Sequence, residues 1–198
     1  MPRIIECFLI EPTNRYRVSL RRYAFGHNQK CPSPAGYHNA DIYVGTEEHA
    51  TQPTCDSDGA GTFPHTDPRW PKTCSLCNVY VFAETDEWQV NYETVYVGPD
   101  GKEYTTLDEN QMSSDTGTRA PAGAMWRAPW MESAYKGPDG HCYVLRTPGG
   151  DWPIDNGWTR TGGPAPKFTA RPSILCGKNA DGAWRYHGFL TDGRLEEC

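Results

Sequence analysis

The sequence predicts a mostly β, loop-rich fold of antiparallel hairpins, with at most one or two short helices. Three observations lead there. Gly and Pro supply 20 and 17 of the 198 residues, and Trp, Tyr and Phe supply 7, 11 and 6. With a mean hydropathy of −0.72, this is a composition of turns and aromatic packing, and runs of strong helix formers are nearly absent. Short aromatic and β-branched runs alternate apolar with polar, the period of a half-buried strand. Finally, Gly-Pro-Asp-Gly occurs at 98–101 and again at 137–140, each time near a strand-like run. In that string Pro presets φ, Asp bonds the backbone ahead and Gly takes the positive-φ position.

In chain order, residues 4–10 and 15–25 read as strands separated by a turn at Glu11-Pro12-Thr13-Asn14. Arg15, Arg17, Arg21 and Arg22 are interleaved with Tyr16, Val18 and Leu20 and are expected on the wet face of the second strand. A short strand at 40–44 precedes a turn-rich stretch, 45–73, which needs something to pin it. The clearest β runs are 79–82, 88–92 and 94–97. Residues 107–120 form a polar connector. Pro121 suits the first turn of a short helix that would put Trp126 and Trp130 on one face at i, i+4. That pair reads as an aromatic plug between two halves or, more sharply, as a ligand-stacking platform. The remainder reads as hairpins: 142–146 into 151–155, then 167–175 with 184–190, then a turn at Thr191-Asp192-Gly193 into a last strand. Pro172 is expected at an edge or a strand entry. The implied organisation is a β lobe at 1–106 with a zinc knuckle, the connector, and a β-hairpin lobe at 121–198.

The chemistry centres on Cys74-Ser-Leu-Cys77. Two thiolates two residues apart in a tight turn both point at one tetrahedral ion, and a structural zinc then needs two more Cys or His ligands. Upstream candidates are Cys31, His38, His49, Cys55 and His65. Cys31 and His38 are favoured, because the Pro- and Gly-rich loop between them brings its ends together without opposing strand hydrogen bonds. Cys55 and His65 are the reserve pair. The competing reading is a set of free, partly buried cysteines. The N-terminal residues show no sustained apolar run, so no signal peptide is expected, and no apolar segment approaches a membrane span. Eight cysteines then point to a reducing compartment, where C-x2-C indicates metal more often than disulfide.

A net charge of −6 argues against binding nucleic acid or anionic membrane through bulk charge. Seven Trp lean the reading towards a protein partner. For catalysis, the best thiol–imidazole pair is Cys176 with His187, oriented by Asp192. A metal hydrolase would need an open ligand position and a carboxylate base such as Asp41 or Glu84. No phosphate-loop, dinucleotide, H-E-x-x-H or G-x-S-x-G motif is present. Trp126, Trp130, His187 and Asp192 remain as a candidate functional surface.

Several strings carry a resemblance: Pro121-Ala-Gly-Ala-Met-Trp126, Trp158-Thr-Arg-Thr-Gly162, Arg171-Pro-Ser-Ile-Leu175 and Tyr186-His-Gly-Phe-Leu-Thr-Asp-Gly193. With Cys31-Pro32, Tyr37-His38, the Cys74/Cys77 knuckle and Trp88-Gln89, they resemble uncharacterised proteins of tailed bacteriophages over about residues 15–195. The resemblance also favours Cys31 and His38 as partners of the knuckle. A further similarity is to short phage and prophage proteins that carry a zinc knuckle and then W-x-x-x-G, P-S-I and H-x-F-x-x-x-G strings. Some of those have Cys where this chain has Tyr186, so a second metal site at His187 is not implied. What the resemblance implies is a setting: an accessory protein in the host cytoplasm or virion, binding a virion component or host factor, with no known activity. The alternative is a small metal-dependent hydrolase acting on nucleotide or nucleic acid.

Overall fold

A computed structural model of the chain describes residues 3–25, 31, 36–53, 63–106 and 118–198. These residues form thirteen strands: β1 Ile4–Glu6, β2 Phe8–Leu9, β3 Glu11–Ala24, β4 His38–Glu48, β5 Glu87–Val97, β6 Glu103–Tyr104, β7 Ala124–Arg127, β8 Tyr143–Thr147, β9 Gly150–Pro153, β10 Thr159–Gly162, β11 Phe168–Lys178, β12 Trp184–Thr191 and β13 Arg194–Glu197. The expected mostly β, antiparallel architecture is the one observed, the short parallel pair β2–β7 aside. Among the described residues the helical content is one 3-10 turn, Pro129–Met131, and no helix is long and apolar enough to cross a membrane.

The chain divides into two compact units, and the division departs from the lobes expected at 1–106 and 121–198. One unit holds the described residues 3–11, 96–106 and 118–198; the other holds those from 12 to 95. Strand pairing explains the difference. β1 lies antiparallel to β13 through Ile5↔Leu195, and β2 lies parallel to β7 through Leu9↔Met125. The N-terminal ten residues therefore complete sheets whose other strands come from the end of the chain.

In the first unit, the sheets run β1-β13-β12-β11-β10 and β2-β7-β8-β9. The second of these is buried on both faces. Met125 and Leu145 enter one apolar cluster with Phe168, Ile174, Tyr186 and Leu190, while their neighbours Trp126 and Val144 enter another with Ile10, Tyr96 and Tyr104. Alternate residues of one strand thus serve opposite cores. This is why the helix expected after Pro121 does not form. Met125 and Trp126 each need a different face, which a strand provides and one helical stripe does not. Trp126 is buried on β7, whereas Trp130 sits 62 % exposed in the 3-10 turn; the two are not a stacked pair.

In the other unit β3 lies between β4 and β5. The turn expected at 11–14 is instead the start of β3. Thr13 Oγ1 donates to Val95 O at 2.8 Å and His49 N donates to Asn14 O at 2.9 Å, so this segment is held as strand. Along β3, Tyr16, Val18, Leu20 and Ala24 point into the core. Arg22 has their parity and goes in with them, 5 % exposed, which corrects its expected place on the wet face. Its guanidinium lies 3.7 Å from the Trp88 ring centroid and donates to the carbonyls of Pro71 and Ala83.

The later hairpins follow the sequence reading. Both Gly-Pro-Asp-Gly strings form turns, with Gly101 and Gly140 donating back to Gly98 and Gly137, each at 3.0 Å. Pro172 is neither at an edge nor at a strand entry. β11 pairs on both sides, and Pro172 sits within its register irregularity between Ala170 and Ile174, a bulge that spares the ladder a missing donor.

Gly149, in the β8–β9 turn, is required for space: a Cβ there would stand 2.0 Å from Cys176 O. Gly140 has open space but a φ of +80°. Gly149→Ala is expected to destabilise by about 3 kcal/mol, since backbone must move. Gly140→Ala should cost about 1 kcal/mol, from φ alone. Urea unfolding of both variants checks the order; equal losses would contradict the packing described.

Candidate metal centre

The ligand set begins with the hairpin around Cys74. Thr73 and Val81 form a bridge, Cys74 N donates to Tyr80 O at 3.0 Å, and Asn78 N donates to Cys74 O at 3.0 Å. This tight turn requires φ = 55° at Asn78, a left-handed conformation that Asn tolerates better than most residues. Ser75 N donates to Asn39 O at 3.0 Å, which docks the hairpin on β4 beside His38. Strand pairing supplies the rest: Ala24↔His38 is the last pair of β3 with β4, and the connection between them carries Cys31.

The outcome is that Cys31, His38, Cys74 and Cys77 each bring a ligand atom to one place, all four within 4.8 Å of one another. Cys31 Sγ and Cys74 Sγ are 3.8 Å apart, and Cys77 Sγ is 3.5 Å from His38 Nδ1. A tetrahedral ion with M–S of about 2.3 Å and M–N of about 2.05 Å requires S···S edges of about 3.8 Å and S···N edges of about 3.55 Å. The two measured edges match. The separation of Cys31 and Cys74 is far beyond the ~2.05 Å of a disulfide, and none of the three cysteines is in a disulfide. This group can hold a metal ion.

The surroundings favour the ionised thiol. Burial opposes ionisation of Cys74, but hydrogen bonds from the backbone N–H groups of Cys77 and Leu76, from His38 and from Asn39 N–H outweigh it. Together they bring its pKa down to about 6. Tyr80 N also donates to Cys77 Sγ at 3.5 Å. Around these ligands, the His38 ring stacks on Tyr80 with centroids 4.3 Å apart and planes 10° off parallel. Tyr80 in turn donates from its hydroxyl to Asp86 Oδ2 at 3.2 Å, and Ala83 N donates to the same oxygen at 2.7 Å. The imidazole is therefore packed against a ring that is itself held by Asp86.

The other sequence candidates lie elsewhere. His65 stacks on Trp88 at 4.2 Å and His49 pairs with Glu47 at 3.1 Å; Cys55 lies outside the described residues. Asp41 is taken by Arg21 at 2.5 Å, and the Glu84 side chain is exposed, so neither carboxylate joins the group. Cys176 and His187 do sit on neighbouring strands, but the register pairs Cys176 with Tyr186 and Leu175 with His187. Thiol and imidazole therefore face opposite sides of the sheet. His187 Nε2 lies 3.4 Å from Ser173 Oγ, and Cys176 Sγ 3.8 Å from Asp151 O. Asp192 is exposed in the β12–β13 turn with φ = 45°, a turn residue.

Sequence reasoning missed Asn78, Tyr80, Asp86 and Arg22. Asn directly after the second cysteine was a readable signal for the left-handed turn; the others are assembled only by the fold. Comparison of the chain with protein-family models, with curated proteins and with solved structures gave no match.

Two predictions follow from this geometry. Cys74 holds a folded pKa of about 6 against an ordinary 9.0. In the metal-free chain its ionisation stabilises the fold fully above pH 9 and not at all below about 6. Protons then compete with metal at this sulfur only below about pH 6, adding roughly tenfold loss of affinity per unit there. Metal titration against a chromophoric chelator from pH 7.5 to 5 reads this, and a flat profile would contradict it. Asn78→Gly should leave metal affinity and stability nearly unchanged, whereas Asn78→Val should lose about 1–2 kcal/mol from the left-handed strain alone, read by thermal melting.

Proposed function

We propose that this chain is a non-enzymatic accessory protein whose β scaffold is stabilised by one structural zinc and binds a protein partner. The observation that carries the reading is the ligand set: three sulfurs and one imidazole within 4.8 Å of one another, two of their separations at tetrahedral values, all from the protein. Zinc with three thiolates and one histidine is a closed structural site, while catalytic zinc keeps a position for water and a carboxylate base nearby. The residues present fit the ion, and Cys31, His38, Cys74 and Cys77 would hold it. Its contribution would be to tie the β3–β4 connection to the 73–81 hairpin.

The surface we assign to the partner is the outer side of that hairpin. Val79 and Val81 alternate with buried Tyr80 and Phe82 and are 71 % and 68 % exposed, with Leu76 exposed at the tip. Apolar side chains clustered on one rigid element and left in water mark an interaction surface more often than chance exposure does. The resemblance to tailed-phage proteins supports a virion component or host factor as the partner. A metal-dependent hydrolase of nucleotide or nucleic acid is the lesser reading, since among the described residues no carboxylate joins the ligand group.

Elemental analysis of untagged protein tests the metal, and a pull-down from infected cells tests the surface. One zinc per chain is expected, lost in Cys74→Ser together with the cooperative thermal transition, because binding and folding are then one equilibrium. Val79→Asp/Val81→Asp should keep zinc and fold yet lose the captured partner. Zinc lost with the fold intact would overturn the structural role, and undiminished capture would overturn the surface.

A further inference from the structure

A second surface lies in the other unit, in residues the metal centre does not use. The sheet β1-β13-β12-β11-β10 turns one face to an apolar core, where Ile174, Tyr186, Leu190 and Leu195 are buried. Side chains alternate along each strand, so Leu175, His187, Phe189 and Glu196 point the other way. Three apolar side chains on that outer face stand in water: Ile4 is 57 % exposed, Leu175 42 % and Phe189 36 %. Apolar groups gathered on one rigid face mark an interaction surface.

Strand register sets charges around them. Glu196 is paired with Phe189 on one side and with Ile4 on the other, and Arg171 is paired with Thr159. The Arg171 guanidinium lies 5.4 Å from the Phe189 ring centroid and donates to the carbonyls of Ala170 and Leu190 at 2.9 and 3.0 Å. Paired residues share a face, so one row crosses the sheet in the order Ile4, Glu196, Phe189, Arg171, Thr159. Phe189 stands at its centre, with a carboxylate one strand away on one side and a guanidinium one strand away on the other. Among the described residues neither Arg171 nor Glu196 is in an ion pair.

We infer that this face is the contact surface of a symmetric dimer, its occupant a second copy of the chain. A two-fold interface sets one patch against itself, residue i on j and j on i. With the axis along β12 through Phe189, the row meets its own reverse. Phe189 packs on Phe189 of the second copy, Arg171 on Glu196, and Glu196 on Arg171. An axis across the strands would instead set Arg171 on Arg171 and Glu196 on Glu196, so the charges select one of the two arrangements. A different protein would need the same order of charges in reverse, and a second copy already has it. The metal and the hairpin surface play no part in this inference, which stands or falls separately from them.

Sedimentation equilibrium of untagged protein tests it, and a reversible monomer–dimer equilibrium is expected. Arg171→Glu and Glu196→Arg each bring like charges together twice, and each should raise the dimer Kd at least about tenfold while keeping the wild-type melting curve. An equimolar mixture of the two should return dimer at wild-type strength, because one copy then presents only carboxylates in the row and the other only guanidinium groups. Phe189→Ser, at the axis, should weaken the dimer as well; with Glu196→Arg it carries the test should Arg171→Glu not fold. A wild type that stays monomeric up to about 1 mM would overturn the inference. So would folded variants that dimerise unchanged, or a mixture no tighter than its components. A monomer that captures a different protein, lost in Phe189→Ser, would give the face to another occupant and overturn it too.

Discussion

The smaller unit depends on one constraint, the closure of the stretch between β4 and β5. Among the described residues from 49 to 86 there is no strand, only turns and the Thr73–Val81 bridge. A connection of that length gains little from backbone ladders, and its ordering entropy must be offset by side chains. Two devices do so. Arg22, on the core face of β3, reaches the carbonyls of Pro71 and Ala83, which flank the 73–81 hairpin on both sides. Within the hairpin the Cys/His group connects to the β3–β4 connection. Without a cation this group is a poor packing solution, because thiols and an imidazole within 4.8 Å make weak hydrogen bonds, and their ionised forms repel at that range. A divalent ion would turn the repulsion into coordination, and the same four residues, marginal as core, would then fasten the hairpin to the β3–β4 connection.

The larger unit solves the same problem differently. Its closing interactions are strand pairs and a sheet buried on two faces, with the adjacent Met125 and Trp126 on opposite sides of that sheet. Bringing residues 3–11 to the strands of the C-terminal half covers β13 and β7 and leaves the very short β1 and β2 as outer strands, a known route to limiting edge-to-edge association. Charges enter this interior only in company. Arg160 is buried between Asp155 at 2.7 Å and Asp139 at 2.6 Å, and it lies 4.2 Å from the Phe168 centroid. The Asp of the second Gly-Pro-Asp-Gly turn thereby fastens that turn to β10.

How much of this was readable follows from what each signal depends on. The fold class, the turns and most later hairpins rest on local chemistry, and local chemistry is written in the chain. The C-x2-C turn and the Pro/Gly-rich Cys31–His38 loop are likewise local, so their convergence could be anticipated. Parity was a usable signal left unread: Arg22 shares the period of Val18, Leu20 and Ala24, and charge alone made it look solvated. Three things were not legible. Residues 11–14 have turn composition, but Thr13 finds Val95 more than eighty positions away, and tertiary pairing overrides composition. The apparent i, i+4 pairing of Trp126 with Trp130 dissolves because a doubly buried strand and an amphipathic helix share apolar content over so short a run. The Cys176–His187 pair failed on register alone, since a one-residue offset moves a side chain to the opposite face.

Net charge is the averaged quantity that misleads most here. A value of −6 argues against binding through bulk charge, yet it says nothing of where the arginines are. Arg22, Arg146 and Arg160 are all buried, each with a ring within about 6 Å and carbonyl or carboxylate partners. In this protein guanidinium is used first as a core-building group that spans apolar and polar surroundings at once. Arg146 shows the point most fully: Asp151 Oδ1 at 2.8 Å, Thr106 O at 3.0 Å and the Trp126 ring together hold its charge inside the fold of an acidic chain.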